Sequence, residues 1–110
     1  MSQRTLVLLK PDAVSRGLVG EILGRYESKG LTMVAMDLRT IDGDVADQQY
    51  AEHLERDFYP PLRAFITSGP LVAAVLEGDQ AVDVVRLLNG ATDGRKAEPG
   101  TIRGDLALSN

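Results

Sequence analysis

Leu71-Val72-Ala73-Ala74-Val75-Leu76 is a continuous apolar run that follows the break Gly69-Pro70, and it reads as the buried central strand of a small sheet. The segments on either side change period. Downstream, Ala81, Val84, Val85 and Leu88 recur at helical spacing, and Asn89-Gly90 closes that helix. Upstream, Leu62, Phe65 and Ile66 mark a short helical stretch after a loop Phe58-Tyr59-Pro60-Pro61. Val45 to Leu54 reads as one mostly polar helix, started by the turn Asp42-Gly43-Asp44. Leu31 to Thr40 reads as another strand, with Val34, Met36 and Leu38 on one face. Val19, Ile22, Leu23 and Tyr26 form the stripe of an amphipathic helix that stops at Lys29-Gly30. Thr5 to Leu9 is a first buried strand, ended by Lys10-Pro11-Asp12. Ala91 to Gly104 has no periodicity, so a long loop is expected, of a length that in compact domains tends to be functional or disordered.

The order is therefore β-α-β, two short helices, β-α and a long loop. It predicts an α+β fold with helices laid on one face of a small antiparallel sheet. A ferredoxin-like βαββαβ sandwich needs one more strand, whose natural place lies beyond Asn110. An open edge beside the first strand is the expected result, and such an edge is an aggregation liability.

A chain of 110 residues is expected to be a single domain with a modest core. Apolar content of 44% and charged content of 25% are ordinary for a globular protein. No apolar stretch approaches the roughly 20 residues that a membrane span requires, and no secretory pattern opens the chain. With no cysteine, disulfides, thiolate metal sites and cysteine nucleophiles are excluded, and a cytoplasmic setting is expected. The net charge of -4 speaks against a nucleic-acid surface. A nucleotide pocket is compatible with it, because a few converging cations need not change the overall sign.

Neither a phosphate-binding G-x-x-x-x-G-K-[ST] loop nor a dinucleotide fingerprint occurs. A phosphate site would have to be built from side chains, since such chemistry depends on positioning and charge stabilisation. Lys10 stands at the C-terminal end of an apolar strand, a favoured ligand position, although a strand-end lysine can equally face water. Arg86 sits on the flank of its helix, either packing its stem or reaching over the sheet edge. Arg103 lies in a glycine-flanked loop, and Thr92 offers a hydroxyl in the same loop. Phe58 and Tyr59 could stack on a base or pack as a satellite cluster. His53 is the only histidine in the sequence and reads as structural or supporting, with no nucleophile or metal cluster legible around it. Asp12, Asp93 and Asp105 are open candidates for helping to hold Mg2+.

Leu9-Lys10-Pro11-Asp12, the Tyr50 to Leu62 segment, Thr67-Ser68-Gly69-Pro70, Glu77-Gly78 and Pro99-Gly100-Thr101-Ile102-Arg103-Gly104-Asp105 together resemble the nucleoside diphosphate kinases. The resemblance runs along essentially the whole chain. It implies the ferredoxin-like fold, nucleoside tri- and diphosphates as partners, Mg2+ as cofactor, and a homo-oligomer, tetramer or hexamer. It also implies a phosphotransferase working through a phosphohistidine by a ping-pong route. Position by position, Lys10 would contact the transferred phosphate, and Arg86, Thr92 and Arg103 would bind phosphates. Phe58 would stack on the base with Leu62 nearby, and Tyr50 would support the site. His53 matches the second histidine of a bacterial H-Y-x-x-H pattern whose first is here Gln49, and Asp57 replaces the usual proline before Phe58. In the family, the phospho-accepting histidine follows a few residues beyond the position of Asn110. The expectation is thus a C-terminally incomplete kinase chain, inactive as it stands. The rivals are a non-catalytic Mg-nucleotide-binding domain and an assembly subunit.

Overall fold

The computed structural model describes residues 2–107. Strand β1 (Ser2–Leu9) is followed by a single turn of helix, α1 (Pro11–Ser15), and by α2 (Val19–Lys29). Strand β2 (Thr32–Arg39) leads to α3 (Gly43–Gln49), a 3-10 turn at Ala51–His53, and α4 (Tyr59–Ile66). Strand β3 (Leu71–Asp79), α5 (Ala81–Asn89) and the short α6 (Ile102–Leu106) complete the described chain. Among the described residues no helix is long and apolar enough to cross a membrane.

The run around Leu71 is central, as its composition predicts. The sheet order is β1-β3-β2, with β3 antiparallel to both neighbours. Val7 pairs with Ala74 and Leu9 with Val72, which sets these four side chains on the face covered by α2 and α5. There they join Ile22, Leu23, Tyr26, Leu76, Ala81 and Val85 in the main core. Full burial of one such aliphatic side chain contributes about 1.5–3 kcal/mol. Alternate residues of the same strands feed a smaller cluster, in which Leu8, Leu71 and Ala73 meet Ala46 and Ile66 of α3 and α4. Among the described residues β1 pairs with β3 alone.

Helix signals in the sequence are mostly where the chain uses them. Asp42 caps α3 by accepting the Val45 N–H at 2.9 Å. Gly30 ends α2 in the left-handed region, at φ 112°. Four details differ from expectation, the first being the extra turn α1 after Lys10. The expected helix over Val45 to Leu54 stops at Gln49, and its weak apolar stripe cannot carry it through Tyr50, which leaves helical geometry at φ -113°, ψ 34°. His53 consequently sits in a 3-10 turn. α4 begins inside the expected loop, at Tyr59, because prolines are well suited to the first turn of a helix. The expected loop to Gly104 instead turns into α6 at Ile102.

Strand β2 carries its apolar residues outward. Met36 is 59% exposed and Leu38 62%, and a bulge between Met33 and Ala35 takes Val34 out of regular pairing. Met33, nearest to α2, is half-buried and packs on the main core.

Candidate functional site

Three remote parts of the chain converge on one cleft of about 420 Å³. Lys10 enters from the end of β1, where it is also the residue that starts α1. Its carbonyl accepts from the Ala13 N–H at 3.0 Å and the Val14 N–H at 3.3 Å, which fixes the backbone and leaves the ammonium exposed. Thr92 enters from the loop after α5, and Arg103 from α6. Asp12 and Arg16 line the cleft as well, over an apolar floor that includes Leu9, Ile22 and Tyr26. A second cleft runs along β1 and shares Leu8, Tyr26, Asn89 and Arg103 with the first; Arg86 lines this one.

α6 holds Arg103 through an unusually tight turn. The Thr101 hydroxyl accepts the Gly104 N–H at 3.0 Å and donates to the Glu98 carbonyl at 2.7 Å. Gly104 fits because it has no Cβ. One placed there would run into the Glu98 carbonyl and lie 2.8 Å from the Thr101 hydroxyl. Arg103 itself is half-buried and donates from Nη1 to the Gly90 carbonyl at 3.0 Å.

The turn is fastened to α2 by ions. Arg25 reaches Asp105 at 2.8 Å and Glu21 at 2.9 Å, and the other Asp105 oxygen accepts the Gly100 N–H at 2.8 Å. The Gly100 N–H first, and the Arg25 guanidinium second, hold the Asp105 carboxyl below the usual carboxylate range. A depressed folded-state pKa gives stabilisation that is complete above the unfolded value, about 3.9. It is lost as pH falls through the lower folded value. Hydrogen exchange at the Gly100 amide is therefore expected to lose protection on acidification below about pH 4, and Asp105→Asn should lose part of it already at neutral pH. Equal protection in both proteins at pH 7 would contradict this fastening.

The aromatic residues form a separate group. Phe58 immediately precedes α4, is 50% exposed, and has its ring centroid 5.3 Å from that of His53 at an interplanar angle of 56°. Leu62 is half-buried one turn further along, and its N–H donates to the Phe58 carbonyl at 3.2 Å. Tyr50 lies 6.4 Å from His53 and 6.2 Å from Tyr59, centroid to centroid. His53 Nδ1 is buried and has no hydrogen-bond partner. Tyr59 donates to Asp47 at 2.6 Å, and burial first, with that bond second, pushes its phenol up to about 12. Arg63 joins the same carboxylate at 3.0 Å and ties α4 to α3.

The predicted residues thus fall into a polar group, in which Lys10, Thr92 and Arg103 share one cleft while Arg86 lines the neighbouring one, and an apolar and aromatic group, comprising Tyr50, His53, Phe58 and Leu62. Neither Phe58 nor Leu62 lines the cleft of the cations. The three carboxylate candidates for a metal part company. Asp93 is occupied by Arg95, through its backbone N–H at 3.0 Å and its guanidinium at 2.9 and 3.1 Å. Asp105 is occupied by Arg25 and Gly100, which leaves Asp12 at the cleft. Among the described residues no group of three His, Asp or Glu side chains could hold a metal ion. Arg16, Tyr26 and Asn89 are cleft residues that sequence reasoning missed. A tyrosine within a buried stripe was the available signal, because its hydroxyl must find a partner.

The nucleoside diphosphate kinase family model matches residues 3–110. The nucleoside diphosphate kinase of a Nocardioides species is 77% identical over 110 residues, covering 100% of this chain and 82% of that protein. That of Cutibacterium acnes is 66% identical over 104 residues, covering 94% of this chain and 75% of the relative. The solved structure of a halophilic nucleoside diphosphate kinase from Halobacterium salinarum, in complex with CDP, has a TM-score of 0.96 at 50% identity. It covers 99% of this chain and 72% of its own. The enzyme from Borrelia burgdorferi, a transition-state mimic with vanadate and ADP, superposes with a TM-score of 0.91 at 38% identity, covering 99% of this chain and 68% of its own. With a ferredoxin-like fold and relatives of this closeness along the whole of its length, the chain belongs to the nucleoside diphosphate kinases, a family of phosphotransferases.

Proposed function

We propose that Lys10, Arg86, Thr92 and Arg103 bind the phosphates of nucleoside tri- and diphosphates, while Phe58, with Leu62 beside it, stacks on the base. The observation that carries this reading is the meeting of Lys10, Thr92 and Arg103, from three remote segments, at one cleft. Two cations and a hydroxyl converging in that way suit a polyanion, and such groups stabilise charge on a phosphoryl group in flight. The half-exposed ring of Phe58 offers a face on which any base can stack, so broad base tolerance follows.

Transfer proceeds in two halves, first from a nucleoside triphosphate to a histidine and then from that histidine to a nucleoside diphosphate. His53 is a supporting residue, because it packs among Tyr50 and Phe58 and is absent from the lining of the cation cleft. By the family likeness, the accepting histidine follows the position that matches Asn110. Tyr50 supports the site from the aromatic side. Mg2+ suits the donor set when it arrives on the nucleotide, since this cation takes one or two carboxylates plus phosphate and water oxygens, and Asp12 is the carboxylate at hand. When bound, it supplies charge neutralisation on the phosphates. The exposed apolar residues Met36 and Leu38 on the edge strand β2 favour a homo-oligomer, tetrameric or hexameric. A cytoplasmic setting accords with a chain that has no cysteine.

Calorimetric titration with Mg-ADP tests the assignment. Phe58→Ala is expected to weaken binding about tenfold, the scale of one lost base-stacking contact. Lys10→Ala should weaken ADP more than AMP. A folded protein that takes up no nucleotide would overturn the reading.

A further inference from the structure

We infer that Tyr26 and Asn89 form a part-buried polar tie that positions Arg103 and the last turn of α5. The inference rests on the assignment of Arg103 to phosphate binding. Tyr26 belongs to the apolar stripe of α2 and is 3% exposed, a place where phenylalanine would pack as well. A hydroxyl so deeply buried must be satisfied, and it donates to the side-chain carbonyl of Asn89 across 63 residues of sequence. Asn89 is the final residue of α5.

The next residue in the chain is Gly90, and its carbonyl is the acceptor that holds Arg103 Nη1 at 3.0 Å. Gly90 also packs closely on Thr101, the residue that starts α6. A Cβ at position 90, already strained at φ 81°, would lie 2.5 Å from the Thr101 hydroxyl. A displacement of Asn89 therefore moves both the acceptor of Arg103 and the neighbour of its helix. Arg86 lies three residues before Asn89 in α5, so it is carried on the same helical turn.

Proximity runs the other way too. Positive charge on Arg103 acts on the Tyr26 phenol and opposes the upward push of burial. Tyr26, Asn89 and Arg103 line both clefts together. The tie thus stands between the core and the cations. Its two members are positioning residues, and they touch no reacting atom.

A double-mutant cycle on Mg-ADP affinity separates positioning from general packing. Tyr26→Phe removes the hydroxyl alone, and Asn89→Leu removes the acceptor. Each is expected to weaken binding about three- to tenfold, the scale of a hydrogen bond that orients a charged group. Arg103→Ala should weaken it further. In the Arg103→Ala background, Tyr26→Phe should cost clearly less, because Arg86 is then the only phosphate ligand it still positions. Full additivity, with Tyr26→Phe losing the same factor in both backgrounds, would overturn the inference. So would unchanged affinity in both single variants. If Arg103→Ala itself binds Mg-ADP like the parent, the assignment of the phosphate site fails instead. Should Tyr26→Phe fold poorly, Asn89→Leu carries the same cycle from the outer end of the bond.

Discussion

Arg103→Ala is expected to lower phosphotransfer about 10²- to 10³-fold, the scale for removing one donor from a developing oxyanion. The measurement belongs in protein that carries the accepting histidine, with rates followed for several nucleoside diphosphates. Arg103 spends one N–H on the Gly90 carbonyl, which fixes the guanidinium in a half-buried position. A guanidinium has five N–H donors in a rigid fork, so the others remain for phosphate oxygens. Because the charge on the phosphoryl group is redistributed as it transfers, the loss should fall mainly on turnover. Discrimination between bases should hardly change, since Phe58 lies in the other group of residues. Equal losses in turnover and in base recognition would contradict the division of labour proposed for the two groups.

Leu76→Ala should produce the largest loss of stability of any change considered, about 2–5 kcal/mol. Leu76 is completely buried at the middle of the central strand, paired with Thr5 on one side and Met33 on the other. Truncation leaves a cavity where two strands and two helices meet, and strands held in antiparallel register can close it only in part. Chemical denaturation is the appropriate readout, with a lower midpoint at an unchanged slope. A loss below about 1 kcal/mol would mean that the site collapses freely, and that the packing around Leu76 is looser than described.

Much of this architecture is legible in the chain because its signals are local. Gly30 and Gly90 end helices where the chain needs positive φ, Asp42 caps α3, and the run from Leu71 lies in the middle of the sheet. Lys10 could be placed at a strand end for the same reason. The misreadings have physical causes. α1 is a single turn begun by proline, too short to show an apolar period. α3 is weakly amphipathic and so could not announce its own end. The ties that organise the cleft span long distances in sequence: Arg25 meets Asp105 across 80 residues, and Tyr26 meets Asn89 across 63. No window along the chain contains both partners; Arg25 advertises only a helical position, and the Tyr26 hydroxyl announces that it needs a partner without saying which. The roles proposed for Arg86, Thr92 and Arg103 rest on the family likeness, which no local spacing could supply.

The cleft exists only after β1, α5 and α6 have met. Lys10, Thr92 and Arg103 are brought together by tertiary packing alone. An unfolded chain presents three isolated polar residues with no common ligand. Nucleotide bound there as proposed would favour the native state by mass action, adding about 2.7 kcal/mol when its concentration is a hundred times its Kd. The pool of substrate becomes part of what keeps the protein folded, and a fall in that pool loosens the protein as well as idling it.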